Sequence, residues 1–294
     1  MFPEFTFANA IFYITKSPGP RGFIWKYLLS YVVLLVAVCA VSGFAMYPLF
    51  IEMEASGVFP SNGASFLALI SPLLFLIFWA VHEGAIQRRL VQGRPFSIRL
   101  GRDELRLLGV GLLTGLFLTI IVSVASIISG TLFNAAYAVG SEALIWLIGI
   151  FVYVMVPFTL FGTMAKFSAA AALTVRDGKF RFGKSISITR GRFWRIFGTL
   201  VIHSVAYYIF FLIFYGFTAG FWVGFAMSDP TIGAAFATAT FAQLLLVIFV
   251  SVLVLGSFAL GGLYQLYMAG PGALAAVNDR YWEAGADAEA DIFS

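Results

Sequence analysis

The chain has 294 residues, of which 61% are hydrophobic and 11% are charged, and its mean hydropathy is +0.96. A soluble domain of this size cannot hide so much apolar surface, so the composition excludes a soluble protein and indicates a membrane protein. The net charge of +4 would suggest nucleic-acid binding in a soluble chain. In a membrane protein the basic residues instead set the orientation, so we expect no nucleic-acid partner.

The segment before the first long apolar stretch is amphipathic. Between Phe5 and Ile14, aromatic and aliphatic residues are mixed with polar ones, which predicts an interfacial segment on the inner leaflet. The sequence Ser-Pro-Gly-Pro at 17–20 predicts the turn into the membrane. We expect no cleavable signal peptide, because the first apolar stretch is too long for a signal sequence.

Six long uncharged stretches follow. A bilayer core about 30 Å thick needs roughly 20 apolar helical residues, so each stretch can span the membrane. The sequence therefore predicts an all-α polytopic membrane protein, a bundle of six transmembrane helices with amphipathic interfacial segments. We expect one membrane domain over 1–280 and a short acidic cytoplasmic tail over 281–294. The six stretches are Tyr27–Ile51, Ala55–His82, Leu107–Ser141, Ala143–Ala165, Ile196–Ser228 and Pro230–Asn278.

The last stretch is long enough for two short passes, and the pair Gly261-Gly262 could break it. A single long helix is favoured because it leaves Arg280 on the same side as the other basic residues.

Basic residues are restricted to alternate loops. The loops on the other side contain only acidic charges, at Glu52, Glu54, Glu142 and Asp229. Because positive residues stay on the cytoplasmic side, both termini and both basic loops should be cytoplasmic, in a bacterial inner membrane. The two loops contain Arg88, Arg89, Arg94, Arg99, Arg102 and Arg106, and then Arg176, Lys179, Arg181, Lys184, Arg190, Arg192 and Arg195.

Both basic loops also carry aromatic and aliphatic residues, which is typical of amphipathic elements on a membrane surface. In the second loop we expect a helix from Gly183 to Arg195. Anionic lipids of the inner leaflet are the expected partners. The candidate headgroup contacts are Arg94, Arg99, Arg102, Arg181, Lys184, Arg190, Arg192, Trp194 and Arg195.

Three segments that return to the cytoplasmic side have related sequences. They read AIQRRLVQG at Ala85–Gly93, AAALTVRDG at Ala170–Gly178 and ALAAVNDR at Ala273–Arg280. Duplication of a helical hairpin would explain the likeness. The alternative is that helices leaving a membrane share similar boundary residues.

The string KSISITRGRFWRIFGTLV at Lys184–Val201 leads from a basic loop directly into a span. It resembles an element of bacterial six-span membrane domains, such as the one that precedes glycerophosphodiester phosphodiesterases and those of related uncharacterised inner-membrane families. The resemblance implies a membrane module associated with lipid or the cell envelope. No phosphodiesterase barrel follows in this sequence, so the resemblance implies no catalytic residue.

Four ionisable residues fall within or beside spans two, four and five, in the inner half of the membrane: His82, Glu83, Lys166 and His203. Charged groups inside a membrane are costly and mark candidate functional sites. One hypothesis is a polar site in which Glu83 pairs with Lys166 and His203 accepts a proton or contacts a ligand. The alternative is that Lys166 extends to the headgroups and the others serve only in packing.

Span five contains Gly216, Gly220 and Gly224 on one face, a pattern that permits close approach of two helices. Packing within the chain is the favoured interpretation, and contact between protomers is the alternative.

Recognisable catalytic and cofactor motifs are missing from the sequence. His82-Glu83 is not followed by a second histidine one turn later, so the zinc-protease pattern fails, and we expect no metal and no cofactor. The single cysteine, Cys39, excludes disulfide frameworks within the chain. The favoured function is a non-enzymatic module for lipid or envelope organisation, or a subunit of a membrane assembly with a membrane-protein partner or a second copy. The alternative is a small transporter or channel, and an intramembrane hydrolase is the least favoured.

Overall fold

A computed structural model describes residues 2–18, 22–56, 64–228 and 240–279. Within these ranges the secondary structure consists of ten α-helices and no strand. The predicted acidic tail and the charges at Asp229 and Arg280 lie outside the described residues. The helices are α1 Phe7–Ile11, α2 Tyr13–Lys16, α3 Phe23–Ser56, α4 Ala64–Gln92, α5 Arg102–Val139, α6 Glu142–Phe167, α7 Ala170–Asp177, α8 Phe182–Arg190, α9 Phe193–Ser228 and α10 Thr240–Val277.

Six of these helices are long and apolar enough to cross a membrane, namely α3, α4, α5, α6, α9 and α10. The prediction of an all-α polytopic protein with six spans is therefore confirmed. Helix α10 continues through the Gly261-Gly262 pair, so the described part of the last stretch is one pass rather than two.

Local sequence signals set several helix ends. The Oγ of Ser141 accepts a hydrogen bond from the Leu144 backbone N–H at 3.3 Å and caps the start of α6. Gly140 and Gly178 end α5 and α7 with φ of 67° and 59°, in the left-handed region that glycine adopts without steric cost.

Two predicted boundaries are wrong. Span two was expected to end at Arg88, with Arg88 and Arg89 in the following loop, but α4 continues to Gln92 and includes both arginines. Both arginines are buried and hydrogen-bonded to groups of the protein. Their charges are therefore satisfied without water, and the helix can continue past them. The basic helix expected over Gly183–Arg195 is two helices, because α8 ends at Arg190 and the turn at residues 191–192 separates it from α9.

The chain divides into two compact units, which are described separately. Unit 1 comprises residues 1–21, 79–201 and 268–294, and unit 2 comprises 22–78 and 202–267. The expected single membrane domain over 1–280 stays a prediction.

The core of unit 1 is formed largely by the three related segments. Residues 80–91 of α4, 170–175 of α7 and 273–277 of α10 are all buried. The side-chain amide of Gln92 donates to the backbone carbonyl of Val175 at 3.0 Å. At Gly272, a Cβ would collide with the carbonyl oxygen of Ser168, so only glycine allows this approach of backbone to backbone.

The amino-terminal segment packs partly against protein. Ala10, Tyr13 and Ile14 are buried in unit 1, whereas Phe7 and Phe12 are exposed. The segment expected on the leaflet surface therefore presents only one of its sides outward.

In unit 2, α3 packs against α10 through aromatic residues. The Tyr27 hydroxyl donates to the carbonyl of Gly262 at 3.1 Å. The ring of Tyr31 lies directly over Gly262, where an added Cβ would come within 2.9 Å of it. The glycine pair is thus a site of close packing rather than a helix break.

Candidate functional site

The carboxy-terminal part of α4 is a buried polar segment. His82, Glu83, Gln87, Arg88 and Arg89 all lie in the buried stretch 80–91. Polar groups removed from water must be hydrogen-bonded, or each costs on the order of several kcal/mol. One such bond is local: the Gln87 amide donates to Glu83 Oε1 at 2.7 Å, one helical turn away.

Arg88 and Glu104 form a buried ion pair, with side chains 1% and 0% exposed. Arg88 Nη2 also donates to the Ser97 carbonyl at 2.8 Å. The second carboxylate oxygen of Glu104 accepts from the backbone N–H of Gly101 at 2.9 Å, so the same side chain caps α5. The pair therefore fixes the end of α4, the loop and the start of α5 together.

Gly84 makes room for this ion pair. A Cβ at residue 84 would lie 2.8 Å from Oε1 of Glu104, closer than non-bonded atoms tolerate. The carboxylate consequently rests against the backbone of α4, one turn before Arg88.

Arg89 and Tyr13 attach the amino-terminal segment to α4. Arg89 Nη1 donates to the Pro18 carbonyl and lies 3.5 Å from Ser17 Oγ. The Tyr13 hydroxyl donates to the Leu90 carbonyl at 2.8 Å. Burial raises the pKa of Tyr13 far above its usual range, and nearby Arg89 only partly opposes this shift.

Lys166 is exposed, and none of the residues in the described ranges forms an ion pair with it, Glu83 included. The backbone carbonyl of Lys166 accepts hydrogen bonds from Ser185 Oγ at 2.8 Å and from Thr189 Oγ1 at 3.1 Å. Lys166 thus fastens α8 to α6 through its main chain.

His203 belongs to unit 2, whereas His82, Glu83 and Lys166 belong to unit 1. The His203 ring is buried and meets the ring of Tyr267 edge to face, with centroids 5.4 Å apart. It lines a cavity of about 330 Å³ between α9 and α10. The grouping of these four residues into one site stays a prediction.

Arg176 is the centre of a second buried charge network in unit 1, and its side chain is 2% exposed. Its guanidinium pairs with Asp177 at 2.7 Å and Asp279 at 3.4 Å, and it donates to the Ala276 carbonyl. Lys184 reaches the same Asp279 carboxylate at 3.1 Å. These contacts connect α7 and α8 to the end of α10.

Arg192 adds to the same region. It donates to the carbonyls of Ala275 and Asn278 at 3.0 and 2.6 Å, where helix α10 leaves backbone acceptors without helical partners. Its guanidinium also lies over the Phe5 ring, 5.2 Å from the centroid. Arg195 donates to the Phe5 carbonyl at 3.1 Å.

The nine candidate headgroup contacts therefore fall into two groups. Lys184 and Arg192 are engaged inside unit 1, and Arg181 pairs with Asp177 at 3.2 Å while staying partly exposed. The other six side chains are exposed, with Trp194 at 68%: Arg94, Arg99, Arg102, Arg190, Trp194 and Arg195.

Of the three glycines in α9, Gly216 is exposed, and a Cβ there would meet nothing within 4 Å. Gly220 and Gly224 lie in the helical backbone of α9, and their surroundings fall outside the described side chains. The role of these glycines in helix packing stays a prediction.

The side chains of Glu104, Arg176 and Asp279 are buried, which the sequence did not predict. One signal was present for Glu104, because an acidic residue three positions after Gly101 is typical of a helix start. The partners of Arg176 could not be identified, since Asp279 is distant in sequence.

Comparison of the chain with protein-family models, with curated proteins and with solved structures found no match. The function is accordingly argued from the site alone.

Proposed function

We propose that this multi-pass membrane protein is a non-enzymatic module that binds anionic lipid at the cytoplasmic leaflet of a bacterial inner membrane. Both termini face the cytoplasm, and the two basic loops contact the headgroups. The observation that carries the proposal is an excess of exposed positive charge on these loops after the ion pairs inside the protein have been counted.

The acidic residues near the loops are already engaged. Glu104 pairs with Arg88, Asp177 and Asp279 pair with Arg176, and Asp103 lies between Arg99 and Arg106 at 3.5 and 3.2 Å. On the two basic loops, the exposed cations without an acidic partner in the described ranges are Arg94, Arg102, Lys179, Arg190 and Arg195.

Such cations attract anionic lipid. Each basic residue near an anionic leaflet contributes about 1 kcal/mol of binding free energy, and the attraction weakens with salt. The exposed indole of Trp194 lies next to Arg195 in sequence, an amphipathic combination favoured at the headgroup level.

The test replaces Arg94, Arg102 and Arg190 with Glu and measures co-purified phosphatidylglycerol and cardiolipin by mass spectrometry. We expect a loss of anionic lipid of at least tenfold, because each reversal removes one attraction and adds one repulsion. The control replaces the same residues with Lys, which keeps the charge and should keep the lipid. The proposal is wrong if the Glu variant melts at the wild-type temperature and retains the wild-type amount of anionic lipid.

A role as subunit of a larger assembly, with a membrane-protein partner or a second copy, belongs to the same proposal. The span that contains α6 has no buried residue in its apolar window within the described chain, so this span offers a surface to a partner helix or to lipid.

A small transporter or channel is the second candidate, favoured by the buried run of His82, Glu83 and Gln87 inside the span Ile70–Gln92. It predicts that Glu83→Gln abolishes proton flux into proteoliposomes, followed with an entrapped pH-sensitive dye, while the folded protein persists. The lipid-binding module predicts that Glu83→Gln leaves lipid retention unchanged.

A further inference from the structure

The cavity of unit 2 has the composition of a ligand site rather than of a packing gap. Its volume of about 330 Å³ falls at the lower end of the range for small-molecule pockets. Five of its eight lining residues carry rings, and the others are aliphatic. They are His203, Ala206, Tyr207, Phe210, Leu260, Leu263, Tyr264 and Tyr267.

The rings are arranged around the space in defined geometry. Tyr207 and Tyr264 lie with centroids 4.6 Å apart and planes 36° apart. His203 meets Tyr267 edge to face at 5.4 Å. Such rings present both faces and edges, the two surfaces that hold another flat ring.

A hydroxyl group at the wall can bind a polar atom of the ligand. Tyr264 OH and Ser204 Oγ are 3.0 Å apart, and either can donate to the other. When Ser204 donates, the Tyr264 hydroxyl keeps its own proton for a carbonyl oxygen in the cavity.

The depth of the cavity in the membrane and the absence of a carboxylate from its lining favour a neutral ligand over a cationic one. His203 lies eight positions after Arg195 along α9, which places it about 12 Å into the span from the basic loop. No carboxylate is among the residues lining the cavity. A cationic ligand would lose its hydration there without an opposite charge to replace it, which costs on the order of several kcal/mol.

We propose that this cavity binds a neutral, flat aromatic or quinonoid ring that carries a carbonyl oxygen and is dissolved in the membrane, a ligand of the quinone class. The ring packs against Tyr207, Tyr264 and Tyr267 from the cavity side, and the carbonyl accepts from the Tyr264 hydroxyl. This site is separate from the basic loops and does not depend on lipid binding there.

The test measures retention of menadione, a methyl-naphthoquinone, by equilibrium dialysis of the full chain in nanodiscs against empty nanodiscs. We expect saturable binding in the protein discs. Ala206→Phe fills the cavity and should weaken binding at least tenfold. Tyr264→Phe keeps the ring but removes the hydroxyl, and should weaken binding about fivefold.

The matched control is Tyr215→Phe, which removes a hydroxyl bonded to Ser257 at 2.7 Å between the same two helices but outside the cavity. It should bind menadione like the wild type. If Ala206→Phe does not fold, the proposal is tested by comparing the menadione affinities of Tyr264→Phe and Tyr215→Phe.

Any one of the following results would overturn the proposal: protein discs that retain no more menadione than empty discs, a folded Ala206→Phe variant with wild-type affinity, or equal weakening by Tyr264→Phe and Tyr215→Phe. Competition by octanol as strong as that by menadione would also overturn it, because the cavity would then bind chains rather than rings.

Discussion

At the scale of single residues, the ion pair between Arg88 and Glu104 is buried in unit 1 and joins two helices. Two charges are withdrawn from water, and each must be satisfied by the other and by backbone groups such as the Ser97 carbonyl. A buried pair of this kind need not be more stable than a pair of apolar residues, but the loss of one partner leaves the other uncompensated.

The first prediction follows from that asymmetry. Arg88→Met should lower the free energy of unfolding by about 3–5 kcal/mol, because Glu104 would stay buried without a cation. Adding Glu104→Leu should recover most of the loss. The free energy is measured by denaturant unfolding in detergent micelles.

The matched control is Arg99→Met, which breaks the exposed pair with Asp103 and should cost less than about 1 kcal/mol. Equal losses for Arg88→Met and Arg99→Met would contradict a buried role for Arg88.

At the scale of helices, the sequence predicted the features that depend on hydropathy, such as the six spans. It did not predict the features that depend on contacts between residues distant in sequence. The six spans were predictable because each apolar stretch must be helical to satisfy its backbone in lipid. The sequence predicted a loop at Arg88 and Arg89 because both residues are charged. Their hydrogen bonds to Glu104 and Pro18, which keep them inside the protein, cannot be inferred from the distribution of charges. The cavity beside His203 could not be predicted from the sequence, because its lining comes from α9 and α10, which are brought together only by folding.

The short helices at the amino terminus give the second prediction. Tyr13 is buried, and its raised pKa means that the folded state keeps the proton while the unfolded state loses it near pH 10.0. The stability that this residue contributes is complete below that pH and is lost as the pH rises above it.

Tyr13→Phe removes the hydrogen bond to Leu90, which should cost about 1 kcal/mol at neutral pH, and also removes the ionisation. Between pH 9 and 11 (roughly the unfolded-state titration of a tyrosine), the wild type should therefore lose stability more steeply than the variant in thermal melts. Parallel curves would show that Tyr13 does not ionise on unfolding.

At the scale of the whole molecule, the charge distribution defines the orientation that the proposed function requires. The third prediction is that Arg94→Cys in intact cells does not react with a membrane-impermeant maleimide, because the proposed orientation places this loop in the cytoplasm. Cys39 must first be replaced by Ala so that the new thiol is the only one in the chain.

A position on the opposite side, Glu142→Cys at the start of α6, should react under the same conditions. Labelling of residue 94 but not of residue 142 would reverse the orientation and remove the anionic inner leaflet as the partner of the basic loops.

The network around Arg176 has a consequence for biosynthesis. The ribosome makes α7 before it makes Asp279 and the carbonyls that end α10, so until α10 has been made Arg176 has only its neighbour Asp177 as an acidic partner and Arg192 lacks these carbonyl acceptors. A nascent chain stopped before residue 270 would hold two arginines without their partners in the α10 region. The packing of α7 and α8 against the end of α10 is therefore completed only after the last helix has been made.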